Sequence, residues 1–275
     1  MSKKNIQECI KDNLEGYFQD LRGAEPHAVY DMVVNAVERP MLEVVMLRAE
    51  GNQSKAADWL GINRNTLRRK LLDHKLATDA AFARWVGRNV RAHRVPGYAS
   101  VVLSLKAHGV APGDITSEQL ETVADLADRY AFGEARSTHE QNIVLASVRR
   151  SDLHPLWQQA RAAGLATANI GLLTDMIACP GGDFCSLANA KSIPIATAIQ
   201  ARFDDLDYLH DIGDMEINIS GCMNACGHHP VGHIGVLGVD KNGSEWYQVT
   251  IGGEQGNQAA LGKVIGPSFA AAEMP

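Results

Sequence analysis

Residues 177–192 read IACPGGDFCSLANAKS, and residues 217–235 read INISGCMNACGHHPVGHIG. Four of the chain's five cysteines fall in these two stretches, Cys179 and Cys185 spaced C-x5-C, Cys222 and Cys226 spaced C-x3-C. Short spacings let one loop offer two thiolates to a single centre. Two such loops make up the four ligands of a tetrahedral zinc site or of a four-iron four-sulfur (4Fe-4S) cluster. Structural zinc pairs are usually separated by about two to four residues, so the wider C-x5-C gap suits the bulkier cubane better. Pro180, Gly181 and Gly182 in one loop, and Gly221 and Gly227 around the other, let the backbone wrap closely enough for N–H groups to reach the sulfurs. The fifth thiol, Cys9, stands alone on an N-terminal helix and reads as a packing residue. His228, His229 and His233, beside a complete thiolate set, read as hydrogen-bonding groups rather than ligands.

The composition is that of a water-soluble globular chain of 275 residues, 45% hydrophobic and 21% charged. No apolar run reaches the roughly 18 residues of a membrane-spanning helix. The N-terminus MSKKNIQECIKDN lacks the apolar stretch of a secretory signal. A cytoplasmic location with no membrane partner is expected. In that reducing setting clustered cysteines point to metal or redox chemistry rather than to disulfides. The net charge of −6 is unevenly spread: residues 1–76 hold 12 basic against 11 acidic groups, the remainder 14 against 21. Within the first part Arg64, Arg68, Arg69, Lys70 and Lys75 gather at the end, opposed only by Asp73. A local basic face on an acidic chain points to a confined polyanion site.

Two domains are expected, 1–76 and 77–275, with no Gly/Ser/Pro linker between them. The first reads as all-helical. In HAVYDMVVNAVERPMLEVVMLRAEG (27–51) the apolar residues recur at helical spacing, and Pro40 is expected to end or kink one helix and open the next. NQSKAADWLG (52–61) gives a short helix with Ala56, Ala57 and Leu60 inward. Gly61 permits a sharp turn, and Asn63 caps a further helix with Leu67, Leu71 and Leu72 on its inner side. Two helices joined by a glycine turn, the second basic, make a helix-turn-helix. Its second helix would present Asn63, Arg64 and Thr66 to base edges, and Arg68, Arg69, Lys70 and Lys75 to phosphates. The second domain alternates strand-like runs (YASVVLSL, NIVLASV, MEINIS, HIGVLGV, WYQVTIGG) with helical ones (SEQLETVADLADRYA, LHPLWQQARAAG, NAKSIPIATAIQARF). That pattern is α+β or α/β.

The stretches YFQDLRG, ERPMLEVVM and GNQSKAADWLGINRNTLRRKL resemble the Fis family of nucleoid DNA-binding proteins, over the whole of residues 1–76. The resemblance implies a homodimer through interdigitated central helices, with two helix-turn-helix units on adjacent major grooves of duplex DNA. Carried over by residue, base reading falls on Asn63, Arg64, Thr66 and Arg69. Phosphate contact falls on Asn52, Ser54, Lys55, Arg68 and Lys70.

DMIACPGGDFCSLANAKS and INISGCMNACGHHPVGHIGVLG resemble the cluster loops of the siroheme-dependent sulfite and nitrite reductases, a likeness that runs over 81–275. The fold class this gives is multidomain: an all-α helix-turn-helix segment followed by an α+β siroheme/4Fe-4S reductase-type domain. The resemblance implies a 4Fe-4S cluster on Cys179, Cys185, Cys222 and Cys226. It also implies a siroheme iron bridged through Cys226, with Asn224 against the macrocycle. EARSTHEQNIVLASV resembles the family's R-x-T-x-x-Q stretch, which makes Arg136, Thr138 and Gln141 candidate siroheme contacts or strand-end structural residues. In that family the cations that hold sulfite or nitrite, and most clamps on the siroheme carboxylates, come from a first half whose place is taken here by the DNA-binding segment. Siroheme retention and turnover by this chain alone are therefore not expected. Three readings stay open: a redox-sensing DNA-binding regulator, a reductase completed by a partner chain or served by an electron donor, and a join of two genes whose products do not act together.

Overall fold

Every element up to His74 is helical, and the chain divides there into two units, the second beginning at Lys75. The computed structural model describes residues 5–274, so the outermost ends of the two expected domains, 1–4 and 275, lie outside the described residues. In the first unit α1 (Ile6–Asp20) starts on a reciprocal cap. The Asn5 side chain accepts from the Glu8 N–H at 2.8 Å, and the Glu8 carboxylate accepts from the Asn5 N–H at 3.3 Å. Next come α2 (Val29–Arg48), α3 (Gln53–Leu60) and α4 (Arg64–Thr78). Leu42, Ala49, Ala56, Ala57 and Leu67 form a small core, with Val45, Met46, Leu60, Ile62 and Leu71 packed around it. Helix α1 buries none of its residues, and α2 buries only Leu42.

The expectation at Pro40 is corrected: it lies inside the single helix α2. Proline removes one intrahelical bond, to the Ala36 carbonyl. Pro40 is exposed, so water can satisfy that carbonyl, and the helix runs on through the good helix formers that follow.

The second unit begins with α5 (Ala80–Asn89), capped by Asp79, whose carboxylate accepts from the Phe82 N–H at 3.0 Å. Then follow β1 (Val90–Ala92), β2 (Tyr98–Leu103), α6 (Ser117–Tyr130), β3 (Arg136–Ser137), β4 (Ile143–Arg149) and α7 (Leu153–Ala162). The four strands pair antiparallel in the order β1-β2-β4-β3. Ala99, Val101 and Leu103 alternate inward along β2, as a period of two requires. Phe82 meets Trp157 and His154 with ring centroids 5.3 and 4.9 Å away.

A second sheet takes β5 (Ile177–Ala178), then, after α8 (Ile193–Arg202) and α9 (Leu206–Ile212), β6 (Ile217–Ser220), β7 (Ile234–Lys241), β8 (Ser244–Ile251), β9 (Lys263–Val264) and β10 (Phe269–Ala270). Its order is β10-β8-β7-β6-β5, with β9 also on β8. The pairs β5–β6 and β6–β7 are parallel, and the others are antiparallel. Parallel neighbours need long crossovers, and both cysteine loops are parts of these crossovers.

A polar network, which the sequence did not disclose, ties the first sheet to the approach to β5. Lys106, with no exposed side-chain surface, donates to the Glu140 carbonyl at 2.7 Å and to Asp175 Oδ1 at 3.2 Å. Asp175 also accepts from Asn142 Nδ2 at 2.8 Å and from the Gly171 N–H at 3.0 Å. Burial holds the Lys106 ammonium below its ordinary pKa, more strongly than Asp175 raises it. The unfolded chain then takes up more protons than the folded one between the depressed value and the ordinary one. This group's contribution to stability is fully present above its ordinary pKa of 10.5 and is lost as the pH falls through the depressed value. Replacing Lys106 by Met should remove that pH slope from urea denaturation curves. At neutral pH it should cost about 3–5 kcal/mol, because Asp175 is left buried without its cation.

Candidate nucleic-acid interface and candidate metal centre

Gly61, at φ +64°, ends α3 in the left-handed conformation that glycine tolerates, and the turn delivers the chain to α4. Asn63 caps α4 by accepting from the Asn65 N–H at 2.8 Å, as expected from the sequence. Asn52 caps α3, accepting from the N–H groups of Ser54 and Lys55 at 3.1 Å each. Their oxygens are thus committed to the helices, and their amide N–H groups remain as the part to offer a ligand.

Of the nine candidate DNA contacts, Asn52, Ser54, Lys55, Asn63, Arg64 and Arg69 are exposed, while Thr66, Arg68 and Lys70 are half-buried. The Lys55 ammonium lies 4.8 Å from the ring centroid of the exposed Trp59. Arg68 Nε donates to Gln53 Oε1 at 3.1 Å, which fixes α4 against α3. Lys70 is ion-paired with Glu38, and His74 lies 3.0 Å from Glu43, so two residues of α4 are tied to α2. These ties are what sequence reasoning missed, because a partner 31 or 32 positions away leaves no local signal.

In the second unit Ile177 pairs with Asn218 and Ala178 with Ile219, so Cys179 and Gly221 emerge from neighbouring parallel strand ends. Loops at the carboxyl ends of parallel strands are the usual ligand-binding positions of such sheets. The Cys179 N–H donates to the Ile219 carbonyl at 3.0 Å, and the Gly221 N–H donates to Cys179 Sγ at 3.0 Å. The Gly221 carbonyl accepts from the N–H groups of Asn189 and Ala190 at 2.8 and 3.0 Å, which closes the first loop over the second. A Cβ on Gly221 would lie 2.6 Å from Gly181 Cα and 2.7 Å from the Ala190 carbonyl oxygen. The two loops therefore touch backbone to backbone.

All four loop cysteines are free thiols: Cys222 is buried, Cys179 and Cys185 half-buried, Cys226 exposed. Among the described residues no three His, Cys, Asp or Glu side chains converge as a site for one metal ion would require. A cubane makes a different demand, for its four thiolates surround a cube instead of meeting at one ion. An all-thiol donor set, an N–H already on one sulfur and loops without Cβ atoms at their contact fit that demand. Asn224 is exposed between Cys222 and Cys226. His233 Nδ1 accepts from the Glu216 N–H at 3.1 Å, and burial holds His229 below its ordinary pKa, favouring the neutral ring.

Arg136, Thr138 and Gln141 do not converge on one point. Arg136 is exposed and ion-paired with Glu134. Thr138 Oγ1 accepts from the Asn142 N–H at 3.2 Å. Gln141 makes two hydrogen bonds to the backbone of Ala178.

Residues 34–74 match the family model described as bacterial regulatory protein, Fis family, and residues 94–163 match that of the nitrite/sulfite reductase ferredoxin-like half domain. A Fis-like DNA-binding protein of Ralstonia nicotianae is 59% identical over 76 residues, 28% of this chain and 99% of that protein. A ferredoxin–nitrite reductase of Synechococcus elongatus is 30% identical over 174 residues, 60% of this chain. This chain spans only 33% of that reductase's length. The solved Mycobacterium tuberculosis NirA protein shares the fold at a TM-score of 0.56 and 24% identity, over 68% of this chain and 35% of that one.

The glycine contact gives a direct test. Gly221→Ala should cost about 1–3 kcal/mol, since the two atoms nearest the new methyl group are backbone and Ser192 Oγ follows at 3.2 Å. Gly87→Ala, on an exposed helix position with nothing near its Cβ, should stabilise by about 0.5–1 kcal/mol. Equal midpoints for the two variants in thermal unfolding would contradict the packing described.

The chain belongs, through its N-terminal module, to the Fis family of DNA-binding proteins, and carries behind that module a nitrite/sulfite-reductase-like domain.

Proposed function

We propose that this chain is a DNA-binding homodimer whose second unit holds a 4Fe-4S cluster on Cys179, Cys185, Cys222 and Cys226. The observation that carries the cluster reading is the contact between the two cysteine loops. Gly221 lies against Gly181 with no room for a side chain, and the Gly221 N–H points at Cys179 Sγ. An N–H on sulfur favours the thiolate and tunes a cluster's potential. The cluster, when bound, supplies one-electron chemistry. The chain's own part is to hold four thiolates, and Cys226 and Asn224, both exposed, are the residues that would meet a siroheme.

The dimer reading rests on α1 and α2. Val34, Val37, Met41 and Val44 repeat at the 3-4-3 spacing of a coiled-coil seam, and all four are exposed. Tyr30 and Leu47 extend the apolar surface at 78% and 77% exposure. Two helices that bury almost nothing within one chain gain their stability by packing on a second copy. The dimer would present two copies of α4 to duplex DNA, with Asn63, Arg64, Thr66 and Arg69 toward bases. Asn52, Ser54, Lys55 and Arg68 would face phosphates. Lys70, already paired with Glu38, would contribute the least.

Sulfite or nitrite reduction by these 275 residues alone is not expected. They match the half-domain model once, over 94–163, and the domain from residue 77 onward carries 14 basic against 21 acidic residues. An oxyanion substrate needs fixed cations around it. Arg136, the cation of the family-like stretch, is ion-paired with Glu134.

Four measurements test this. Anaerobic reconstitution should give about four iron and four sulfide per chain. Cys222→Ser should abolish the uptake, and one zinc per chain without sulfide would refute the cluster. Met41→Lys should dissociate the dimer in sedimentation velocity. DNA affinity should fall steeply with salt, and Arg64→Ala should relax sequence preference at a cost of about 1–3 kcal/mol; salt-independent binding would refute this surface. A pyridine extract should contain little siroheme, and reduced viologen should drive no turnover. Full siroheme occupancy with steady turnover would overturn the inactive reading.

A further inference from the structure

We propose that Gln141 is the positioning residue for Cys179: its side chain clamps the residue before that cysteine and fixes where the first thiolate of the cluster site stands. This deepens the cluster reading and rests on it.

Strand β5 has β6 on one side only. Along a strand successive backbone groups point to opposite sides. The Cys179 N–H points to β6, where it meets the Ile219 carbonyl. The backbone of Ala178 accordingly points to the open edge. There Gln141 Nε2 donates to the Ala178 carbonyl at 2.8 Å, and the Ala178 N–H donates to Gln141 Oε1 at 2.9 Å. One primary amide thus supplies the donor and the acceptor that a further strand would have supplied. An edge left open would be free to fray or to pair elsewhere.

The clamp arm is built with care. Ser137 pairs with Ile143, so residues 138–142 form the tip of the hairpin between β3 and β4. Within it the Thr138 N–H donates to the Asn142 carbonyl at 2.9 Å, and the Gln141 N–H donates to the Thr138 carbonyl at 3.2 Å. These bonds hold Gln141 at φ +58°, a left-handed conformation uncommon for a residue with a side chain. A Cβ on Gly113 would lie 3.0 Å from Gln141 Cβ, so the glycine there leaves room for the arm. Next to it Asn142 and Lys106 hold Asp175, three positions before Ala178. Two successive residues of one hairpin thus fix the run into Cys179 at two points. Cys179 in turn takes the Gly221 N–H on its sulfur. A shift of β5 along its open edge would break that contact first.

The test compares wild type, Gln141→Leu, Gln141→Glu and Leu126→Ala, the last a buried position on α6 chosen as a control for general destabilisation. Each reconstituted chain is challenged with a ferrous-iron chelator, and the reduced cluster is read by electron paramagnetic resonance. Gln141→Leu, which loses both bonds, should release iron roughly tenfold faster and broaden the resonance. Gln141→Glu, which keeps the acceptor and loses the donor, should fall between it and wild type, and it carries the comparison if Gln141→Leu does not fold. Leu126→Ala should lower the melting temperature without changing the resonance. In the cluster-free chain, alkylation of Cys179 measured against the exposed Cys9 should rise several-fold in Gln141→Leu. Wild-type release rates, an unchanged resonance and an unchanged labelling ratio in both Gln141 variants would overturn the proposal. A wild-type chain that takes up no iron, while Gln141→Leu still exposes Cys179, would sink the cluster reading and with it the positioning of a ligand, leaving only a clamp on β5.

Discussion

The second unit depends on one pairing, the parallel ladder between β5 and β6. Strand β5 is two residues long and β6 four. Their alignment of Ala178 with Ile219 makes Cys179 and Gly221 neighbours, although 42 positions separate them. A side chain at Gly221 would meet Gly181 and Ala190 of the first loop and force the two loops apart. The polar network around Asp175 and the clamp at Ala178 both act on this short edge strand. The antiparallel sheet thereby serves as a brace for the cysteine loops, which gives residues 94–163 a role in this chain that does not require a second copy of the half domain.

The first unit is constrained differently. Its core is a handful of alanines and leucines around the helix-turn-helix, and helices α1 and α2 bury one residue between them. Such a unit is small for its exposed apolar surface. The ties from α4 to α2, Lys70 to Glu38 and His74 to Glu43, link the second helix of the helix-turn-helix to the helix that carries the apolar seam. Were two chains to pair through that seam, these contacts would connect the pairing mechanically to the placement of α4.

Much of this was legible in the sequence where the signal is local. The cap at Asn63, the turn at Gly61, the inward Ala56, Ala57 and Leu67, and the long strands β2, β4, β7 and β8 all follow from spacing and turn chemistry. Pro40 misled because proline's local penalty is set by whether its unpaired carbonyl meets water, which depends on tertiary exposure. Strands of two or three residues, such as β3 and β5, have no periodicity to read. Lys106 and Gln141 were opaque for another reason. Their hydrogen-bond partners lie 69 and 37 positions away in the chain, too far for any local signal to announce them.

Two loops on adjacent strand ends are proposed to form a single cubane site. Mössbauer spectroscopy of chain reconstituted with iron-57 tests it most directly. The claim predicts one population of irons, all in tetrahedral sulfur coordination and with the averaged valence of a single 4Fe-4S cluster. A spectrum of mononuclear iron bound by four thiolates, or of a two-iron cluster on one cysteine pair that survives loss of the other pair, would contradict it.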